Sequence, residues 1–140
     1  MTGKYPHSID AKGRLFFPAK LRDELGSVFY VTLSFSRDNC LSAFSLESWD
    51  QIKSKLNALP YSKQNVMRPI FANATKCELD TQGRILLPLE LRSAIGLDKD
   101  VVVVGAGNHV EIWDSEEWAT KNAEEATLEN IAAVMEELEF

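Results

Sequence analysis

The stretch Asp10-Ala-Lys-Gly-Arg14-Leu-Phe-Phe-Pro18 returns seventy residues later as Asp80-Thr-Gln-Gly-Arg84-Ile-Leu-Leu-Pro88. The match continues without a gap through a leucine, an arginine and a glycine, which pair as Leu21/Leu91, Arg22/Arg92 and Gly26/Gly96. With the offset shortened by one residue, Trp49 also falls on Trp118. Self-similarity at a fixed offset indicates a duplicated structural unit. The sequence therefore predicts two copies of one unit in a single chain.

Each copy opens with the same local signals. Strand-like runs at Tyr5–Ile9 and Thr75–Leu79 precede the Asp-x-x-Gly-Arg segment, and further strands follow at Leu15–Phe17 and Ile85–Leu87. Glycine suits a turn residue with positive φ, and aspartate accepts hydrogen bonds from amides two or three residues further on. The pattern predicts a β-hairpin in each copy. The structural residues of the two turns are predicted to be Asp10, Gly13, Asp80 and Gly83.

The rest of each unit is predicted to be a short helix, two strands and a closing helix. Proline favours a helix start and glycine a helix end, so Pro18 and Gly26 bracket a two-turn helix, as do Pro88 and Gly96. The closing helices contain the aligned tryptophans, interpreted as core anchors. The second of these helices follows the capping sequence Asp114–Glu117. The strands are predicted at Val28–Leu33, Leu41–Phe44, Val101–Val104 and Val110–Trp113.

Two further segments complete the chain. Ser62–Ala74 is predicted to be a packed helical connector interrupted at Pro69. The end of the chain places an apolar stripe on an acidic amphipathic helix, and such a stripe must cover either its own chain or a neighbouring subunit. The stripe consists of Leu128, Ile131, Met135 and Leu138. The predicted division is residues 1–61 for the first repeat, 62–74 for the connector, 75–121 for the second repeat and 122–140 for the C-terminal helix.

Length and composition favour a cytoplasmic protein with a single core. With 140 residues and 45% hydrophobic content, two separate domains would each be marginal. We find no apolar run long enough to span a bilayer and no signal-peptide pattern, so no membrane contact is expected. Cys40 and Cys77 lack C-x-x-C spacing and are interpreted as buried free thiols. His7 and His109 stand alone, so neither a metal site nor a cofactor is expected.

Charge is unevenly distributed along the chain. The net charge is −6, yet residues 1–22 carry five cations and one acid, a net charge of +4. Residues 111–140 carry ten acids against Lys121, a net charge of −9. The chain therefore has a basic head and an acidic tail, and the head remains suited to a polyanionic partner.

The first turn has the chemistry of a DNA contact. A turn of this kind is narrow enough to enter a major groove, where Lys12 and Arg14 can meet phosphates and the acceptor edge of guanine. In the second turn Gln82 replaces the lysine, so the first turn is predicted to carry most of the contact and Arg84 to be structural or secondary. An alternative is that each Asp and Arg form a self-contained ion pair, and both roles can coexist. Additional attraction to phosphates is predicted from Lys4, Lys20 and Arg22.

Several blocks, in order and at matching spacing, resemble the MraZ family: His7–Leu15, Glu47–Trp49 with Lys55–Leu56, Ala72–Asp80, Gln82–Pro88 and Gly96–Val102. The resemblance implies a mainly β fold with flanking α-helices, a swapped-hairpin (AbrB-like) barrel formed by two tandem half-motifs. It also implies a nucleoid-associated transcriptional regulator of the division and cell-wall gene cluster. Such a regulator binds short G-rich direct repeats of double-stranded DNA in its own promoter as a homo-oligomer, expected to be a ring. His7, which opens the first block, joins the predicted DNA-binding residues.

Two other classes of function deserve comparison. Asp10 and Asp80 resemble a carboxylate pair of the aspartic-protease type, but an arginine four residues after each would keep both ionised, whereas that chemistry needs a shared proton. We therefore expect no enzyme activity and no small-molecule substrate. The other alternative is an assembly or protein-interaction module that uses the C-terminal helix and does not bind DNA. The basic head argues against it.

Overall fold

The computed structural model describes all 140 residues, which form eight strands and six helices. The strands are β1 Lys4–Ser8, β2 Arg14–Phe16, β3 Val28–Leu33, β4 Leu41–Ser45, β5 Thr75–Glu78, β6 Arg84–Leu86, β7 Asp100–Gly105 and β8 Val110–Asp114. The helices are α1 Ala19–Leu25, α2 Leu46–Asn57, α3 Tyr61–Ala72, α4 Leu89–Ala94, α5 Ser115–Glu125 and α6 Leu128–Glu137. Both short helices predicted after the turns, α1 and α4, are present.

Six strands form one antiparallel sheet in the order β1-β7-β8-β4-β3-β5, and β2 pairs with β6 in a separate two-stranded ribbon. An antiparallel sheet flanked by helices agrees with the predicted fold class. The sheet is open, with β1 and β5 at its edges, so the strands do not close into the expected barrel.

The two repeats exchange their first strands. β1 of the first repeat pairs with β7 of the second, and β5 of the second pairs with β3 of the first. At the centre of the sheet β4 pairs with β8, which joins the two halves. Because each half is completed by a strand from the other, neither repeat forms a closed unit by itself.

The predicted hairpins are therefore wrong, although the turns are correct. Each chain reversal closes locally, since the N–H of Gly13 donates to the carbonyl of Asp10 at 2.9 Å and the N–H of Asp10 to that of Arg14 at 3.0 Å. Beyond the turn the strands diverge, and Leu15 of β2 lies opposite Ile85 of β6. A turn depends on local residues, whereas the partner of a three-residue strand depends on where its apolar side chain is buried.

One large cluster of buried side chains lies between the sheet and the ribbon. The sheet contributes Phe29, Val31 and their neighbours on the face that we call the inner face. The ribbon contributes Leu15 and Ile85, which are 0% and 1% exposed. Helices α1 and α4 and the residue that follows α4 contribute the side chains predicted at helical spacing, Leu21, Leu25, Leu91 and Ile95. Both repeats thus share a single core.

The opposite, outer face of the sheet is covered by the remaining packed helices. Trp49 of α2 is 3% exposed and packs with Phe44 of β4 and Ile70 of α3. Trp118 of α5 meets Trp113 of β8 edge to face at 5.5 Å between ring centroids. The prediction that the aligned tryptophans are core anchors is confirmed for Trp49, whereas Trp118 packs at the border of a smaller cluster.

Pro69 does not interrupt the connector, contrary to the prediction. Helix α3 runs through it from Tyr61 to Ala72. A proline inside a helix removes one backbone hydrogen bond. A tertiary contact follows directly, because the buried hydroxyl of Thr32 donates to the carbonyl of Ile70 at 2.7 Å. Burial of Ile70 and this hydrogen bond stabilise the helix beyond the proline.

Both cysteines are free and buried, as predicted. Burial raises the pKa of Cys40 to about 12 and that of Cys77 to about 11. The reactive thiolate is therefore a minor form near neutral pH, and the two residues act as small apolar side chains.

Helix α6 forms as predicted, but its apolar stripe covers nothing in its own chain. Every residue from Asn122 to Phe140 is exposed. Leu128 is 87% exposed and Leu138 is 62% exposed.

No helix in the structure has the length and apolar character needed to cross a membrane.

The shared core predicts that Leu15 and Phe16, which are neighbours in β2, contribute very differently to the free energy of unfolding. Leu15→Ala removes a fully buried side chain and should lower the free energy of unfolding by about 2–5 kcal/mol. Phe16→Ala, at the adjacent exposed position, should lower it by no more than about 1 kcal/mol. Urea unfolding followed by tryptophan fluorescence measures both. Equal losses would contradict the packing of the ribbon described above.

Candidate nucleic-acid interface

The β2–β6 ribbon presents one buried and one exposed face. Side chains alternate along a strand, so Leu15 and Ile85 point into the core. The neighbouring positions form the outer side of the ribbon, which we call the ribbon face: Arg14, Phe16, Arg84 and Leu86. Phe16 is 47% exposed and Leu86 is 59% exposed. Two arginines and two apolar side chains thus share a small exposed surface.

The two turns lie at opposite ends of this ribbon and are related by an approximate twofold axis. The N–H of Phe17 donates to the carbonyl of Gly83 at 3.0 Å, and the N–H of Leu87 donates to that of Gly13 at 2.9 Å. Each turn is therefore hydrogen-bonded to the strand of the other repeat. This reciprocal pairing fixes the spacing between the turns.

Each aspartate organises its own turn. One carboxylate oxygen of Asp10 accepts from the N–H groups of Lys12 and Arg14 at 3.0 and 2.9 Å, and the other accepts from Nε of Arg14 at 2.6 Å. Asp80 repeats the pattern with Gln82 and Arg84, at 2.9 Å for all three contacts. The ion pairs considered from the sequence are present in both turns.

These contacts favour the ionised carboxylates. The backbone N–H of Arg14, together with its guanidinium, lowers the pKa of Asp10 below its ordinary value, and Arg84 lowers the pKa of Asp80 in the same way. Both aspartates are therefore charged near neutral pH. A shared proton, which an aspartic-protease pair needs, is opposed at each position.

The ion pairs leave the outer ends of both guanidinium groups unused. Arg14 and Arg84 donate to their aspartates through Nε, and neither makes a further side-chain hydrogen bond within the chain. The Arg14 side chain is 34% exposed and that of Arg84 is 20% exposed. Arg84 also lies over the ring of Phe16, 5.9 Å from its centroid. Both arginines are oriented by their own turns, and Arg14 is the more accessible.

Arg22, for which attraction to phosphates is predicted, packs beneath the second turn. Its guanidinium packs against Gly83 of the opposite turn, and its Nε is buried without a hydrogen-bond partner. Arg92 occupies the equivalent position against Gly13 and donates through Nε to the carbonyl of Leu87 at 3.0 Å. The repeat of Arg22 as Arg92 was a visible signal that both residues support the turns.

Both turn glycines are needed for two reasons. Gly13 and Gly83 have φ angles of +86° and +79°, which side chains rarely adopt. A Cβ at either position would also displace the guanidinium of the arginine beneath it. The prediction that these glycines permit the turn agrees with this geometry.

The remaining predicted DNA-binding residues are spread over the molecule. Lys12 is exposed at the tip of the first turn, and Lys20 is exposed on α1. His7 is half-buried and lies opposite Val101, on the inner face. Lys4 lies opposite Val104, whose side chain packs on the outer face, so Lys4 lies across the sheet from the ribbon. The structure brings Lys12 and Arg14 together but does not bring Lys4 to them.

Lys99, a cation that the sequence did not indicate, lies beside the first turn. The carbonyl of Lys99 accepts from the N–H of Ile9 at 2.8 Å, and the exposed lysine shares a groove of about 460 Å³ with Asp10, Arg92 and Asp98. At the second turn the equivalent backbone acceptor is the uncharged Ser27. The two turns therefore differ in their surroundings as well as in Lys12 and Gln82.

The pKa directions predict a pH effect on stability. Because folding lowers the pKa of Asp10 and Asp80, their contribution is complete above the ordinary value of 3.8 and is lost as pH falls below it. Asp10→Asn/Asp80→Asn should be less stable than wild type at pH 7 and should lose less stability between pH 5 and about pH 2. Thermal unfolding across this range measures the effect. Asp23→Asn, an exposed aspartate on α1, is the control and should keep the wild-type profile.

Comparison with known proteins identifies related chains along almost the whole sequence. A model of the family described as "MraZ protein, putative antitoxin-like" matches residues 1–67 and 70–138. A protein named Transcriptional regulator MraZ from Carboxydothermus hydrogenoformans is 47% identical over 95% of this chain and 94% of its own. Proteins of the same name from Acetivibrio thermocellus and Thermoanaerobacter sp. are 44% and 43% identical, over 95% and 99% of this chain and 94% and 98% of theirs.

Among solved structures, the solution structure of PHS018 from Pyrococcus horikoshii is similar with a TM-score of 0.31 and 14% identity. That match covers 80% of this chain and 87% of the other. The sequence relatives are far closer, and two matched segments include both turns. The chain belongs to the MraZ family.

Proposed function

We propose that this protein is a transcription regulator that binds double-stranded DNA through the ribbon face and the first turn. The observation that carries the proposal is the pair of arginines, each held by its own aspartate, whose outer guanidinium nitrogens remain free of protein partners. Its relatives are named transcriptional regulators, which favours this class over an enzyme.

The dimensions and chemistry of the ribbon suit the major groove. A two-stranded β-ribbon fits into that groove, and a guanidinium donates two parallel hydrogen bonds to O6 and N7 of guanine. The Asp10 carboxylate fixes Arg14 through Nε, which leaves the other nitrogens for such a pair. Phe16 and Leu86 are exposed beside the arginines and offer apolar contact to thymine methyl groups.

The two ends of the ribbon are not expected to contribute equally. Lys12 beside Arg14 adds a phosphate contact, and Gln82 in the second turn does not. Arg84 is more covered than Arg14 and is engaged with Phe16. We infer that the first turn supplies most of the affinity and that Arg84 is a secondary contact.

The finer features implied by the family complete the proposal. The targets are short G-rich direct repeats in the promoter of its own operon within the division and cell-wall gene cluster, and the protein works in the cytoplasm on the nucleoid. Repeated sites suit a homo-oligomeric ring, which gains affinity by presenting several identical turns. The exchange of β1 and β5 between repeats supports a swapped-hairpin relationship. We also propose the division into a first repeat (residues 1–61), a connector (62–74), a second repeat (75–121) and a C-terminal helix (122–140).

The arginines provide the direct test. Arg14→Ala should weaken binding to DNA carrying the direct repeats by about 1–3 kcal/mol, or about 5- to 150-fold in Kd, and Arg84→Ala should weaken it less. Gel-shift titration measures both, with circular dichroism to establish that each variant folds. A folded Arg14→Ala protein with wild-type affinity would overturn the proposal. Lys4→Ala is the matched control and should bind close to normally, because Lys4 lies across the sheet.

The difference between the turns predicts that the salt dependence of DNA binding changes in opposite directions when Lys12 is removed and when a lysine replaces Gln82. Lys12→Ala should reduce the slope of log K against log salt by about 1 for each bound first turn, because one phosphate contact is lost. Gln82→Lys should increase the slope if the second turn lies close to phosphates. Filter binding between about 50 and 200 mM salt measures both. An unchanged slope in Lys12→Ala would remove Lys12 from the interface while leaving the arginine test untouched.

A further inference from the structure

A cavity of about 350 Å³ opens on the outer face of the sheet, on the side away from the ribbon. It lies between β4, β8, helix α2 and the loop of residues 34–40, which joins β3 to β4. Its apolar lining consists of Phe35, Phe44 and Ile52, and the remaining lining residues are polar or charged. Sites for small molecules have volumes of about 300–1,000 Å³ and combine apolar walls with a few polar groups. This cavity, which we call the outer cavity, meets both conditions.

A buried serine lines the outer cavity without a hydrogen-bond partner. Ser42 is 2% exposed and lies between Thr32 of β3 and Glu111 of β8. The hydroxyl of Thr32 donates to a backbone carbonyl of α3, and the carboxylate of Glu111 accepts from two neighbouring side chains. The hydroxyl of Ser42 takes part in no hydrogen bond of the chain. Because buried polar groups are rarely left unpaired, this hydroxyl is available to a bound ligand.

The charges that line the outer cavity favour a cation. Asp38, Glu111 and His109 line it, whereas Arg37 of the same loop is exposed and does not. Nε2 of His109 lies 3.1 Å from a carboxylate oxygen of Glu111, and this hydrogen bond lowers the pKa of Glu111 below its ordinary value. One oxygen of Asp38 accepts from the hydroxyl of Ser36 at 2.9 Å, and no cation of the chain pairs with this carboxylate. Asp38 therefore supplies an unbalanced negative charge to the cavity.

The loop that borders the outer cavity is fixed by its own hydrogen bonds. The side-chain amide of Asn39 donates to the carbonyl of Ile95 at 2.9 Å. The hydroxyls of Ser34 and Ser36 lie 2.8 Å apart, and the hydroxyl of Ser36 donates onward to Asp38. A site whose walls are ordered before binding loses little conformational entropy when a ligand enters, which favours affinity for a small molecule.

We propose that the outer cavity binds a small organic cation of the arylalkylamine class. The ammonium group donates to the carboxylate of Asp38 and the hydroxyl of Ser42, and the aromatic ring packs on Phe35. The ring of Phe35 stacks on that of Phe44 at 5.0 Å between centroids and is itself 47% exposed, so it offers a flat apolar surface to the ligand. An anion of the same shape would be repelled by Asp38. This site lies across the sheet from the ribbon face and does not rest on the proposed function.

A pair of probes of similar shape and opposite charge tests the site. The amine of 2-phenylethylamine is protonated near neutral pH, whereas phenylacetate carries a negative charge on a similar frame. We expect 2-phenylethylamine to cause saturable shifts of backbone amide signals in the loop of residues 34–40 and in residues 108–111, measured by ¹H–¹⁵N NMR titration of the full chain. Phenylacetate should bind at least about 10-fold more weakly, because it meets a like charge.

Three variants assign the contacts. Asp38→Asn keeps the shape of the side chain and should raise the Kd of 2-phenylethylamine about 10- to 100-fold, since a charge-assisted hydrogen bond is lost. Ser42→Ala should raise it about 2- to 10-fold without lowering the stability of the free protein, because no hydrogen bond within the chain is removed. Asp50→Asn, an exposed position on the helix that contributes Ile52, is the matched control for charge and should bind like wild type.

The proposal would be overturned by the absence of saturable shifts, by equal binding of phenylacetate, or by equal Kd values for Asp38→Asn and Asp50→Asn. Wild-type affinity in Ser42→Ala would also overturn it. Arg14→Ala should bind the amine normally, because Arg14 lies on the ribbon face. Loss of amine binding in that variant would place the probe on the ribbon and contradict the proposal. A failure at the outer cavity leaves the Arg14→Ala gel shift, and with it the proposed function, unaffected.

Discussion

The reciprocal hydrogen bonds between Phe17 and Gly83 and between Leu87 and Gly13 are the constraint on which the remaining structure depends. They pair each turn with the strand of the other repeat, so the two copies cannot be separated without breaking the ribbon. The same pairing points Leu15 and Ile85 into the core and leaves Arg14 and Arg84 exposed. Stability and the candidate binding surface therefore come from the same three-residue strands.

The duplication keeps the scaffold symmetric and lets the surface diverge. Both turns retain the aspartate acceptor, the glycine with positive φ and the arginine packed beneath the opposite turn. Scaffold positions depend on each other across the twofold axis, so a change in one copy affects the packing of the other. Lys12 and Gln82 point to solvent at the tips and are free of this coupling. A lysine can therefore be present in one turn alone without cost to the fold.

The sequence predicted those features that depend on neighbouring residues. The turns, the short helices after Pro18 and Pro88, and the cap at Asp114, which accepts from the N–H of Glu117 at 3.2 Å, all follow local rules. The strand partners were not predictable, because the pattern around Leu15 shows that it is buried but not against which strand. At Pro69 the local rule failed, since the distant Thr32 stabilises the helix. The packing of Arg22 beneath the opposite turn was not predicted, because a cation near a turn has the same pattern whether it supports the backbone or meets a phosphate.

A net charge of −6 would by itself argue against DNA binding, but the fold separates the basic residues from the acidic ones. The ribbon packs on the inner face of the sheet and turns its arginines to solvent, whereas α2 and α3, which carry exposed cations, pack on the outer face. A monomer would thus offer DNA two basic surfaces, only one of which has oriented arginines.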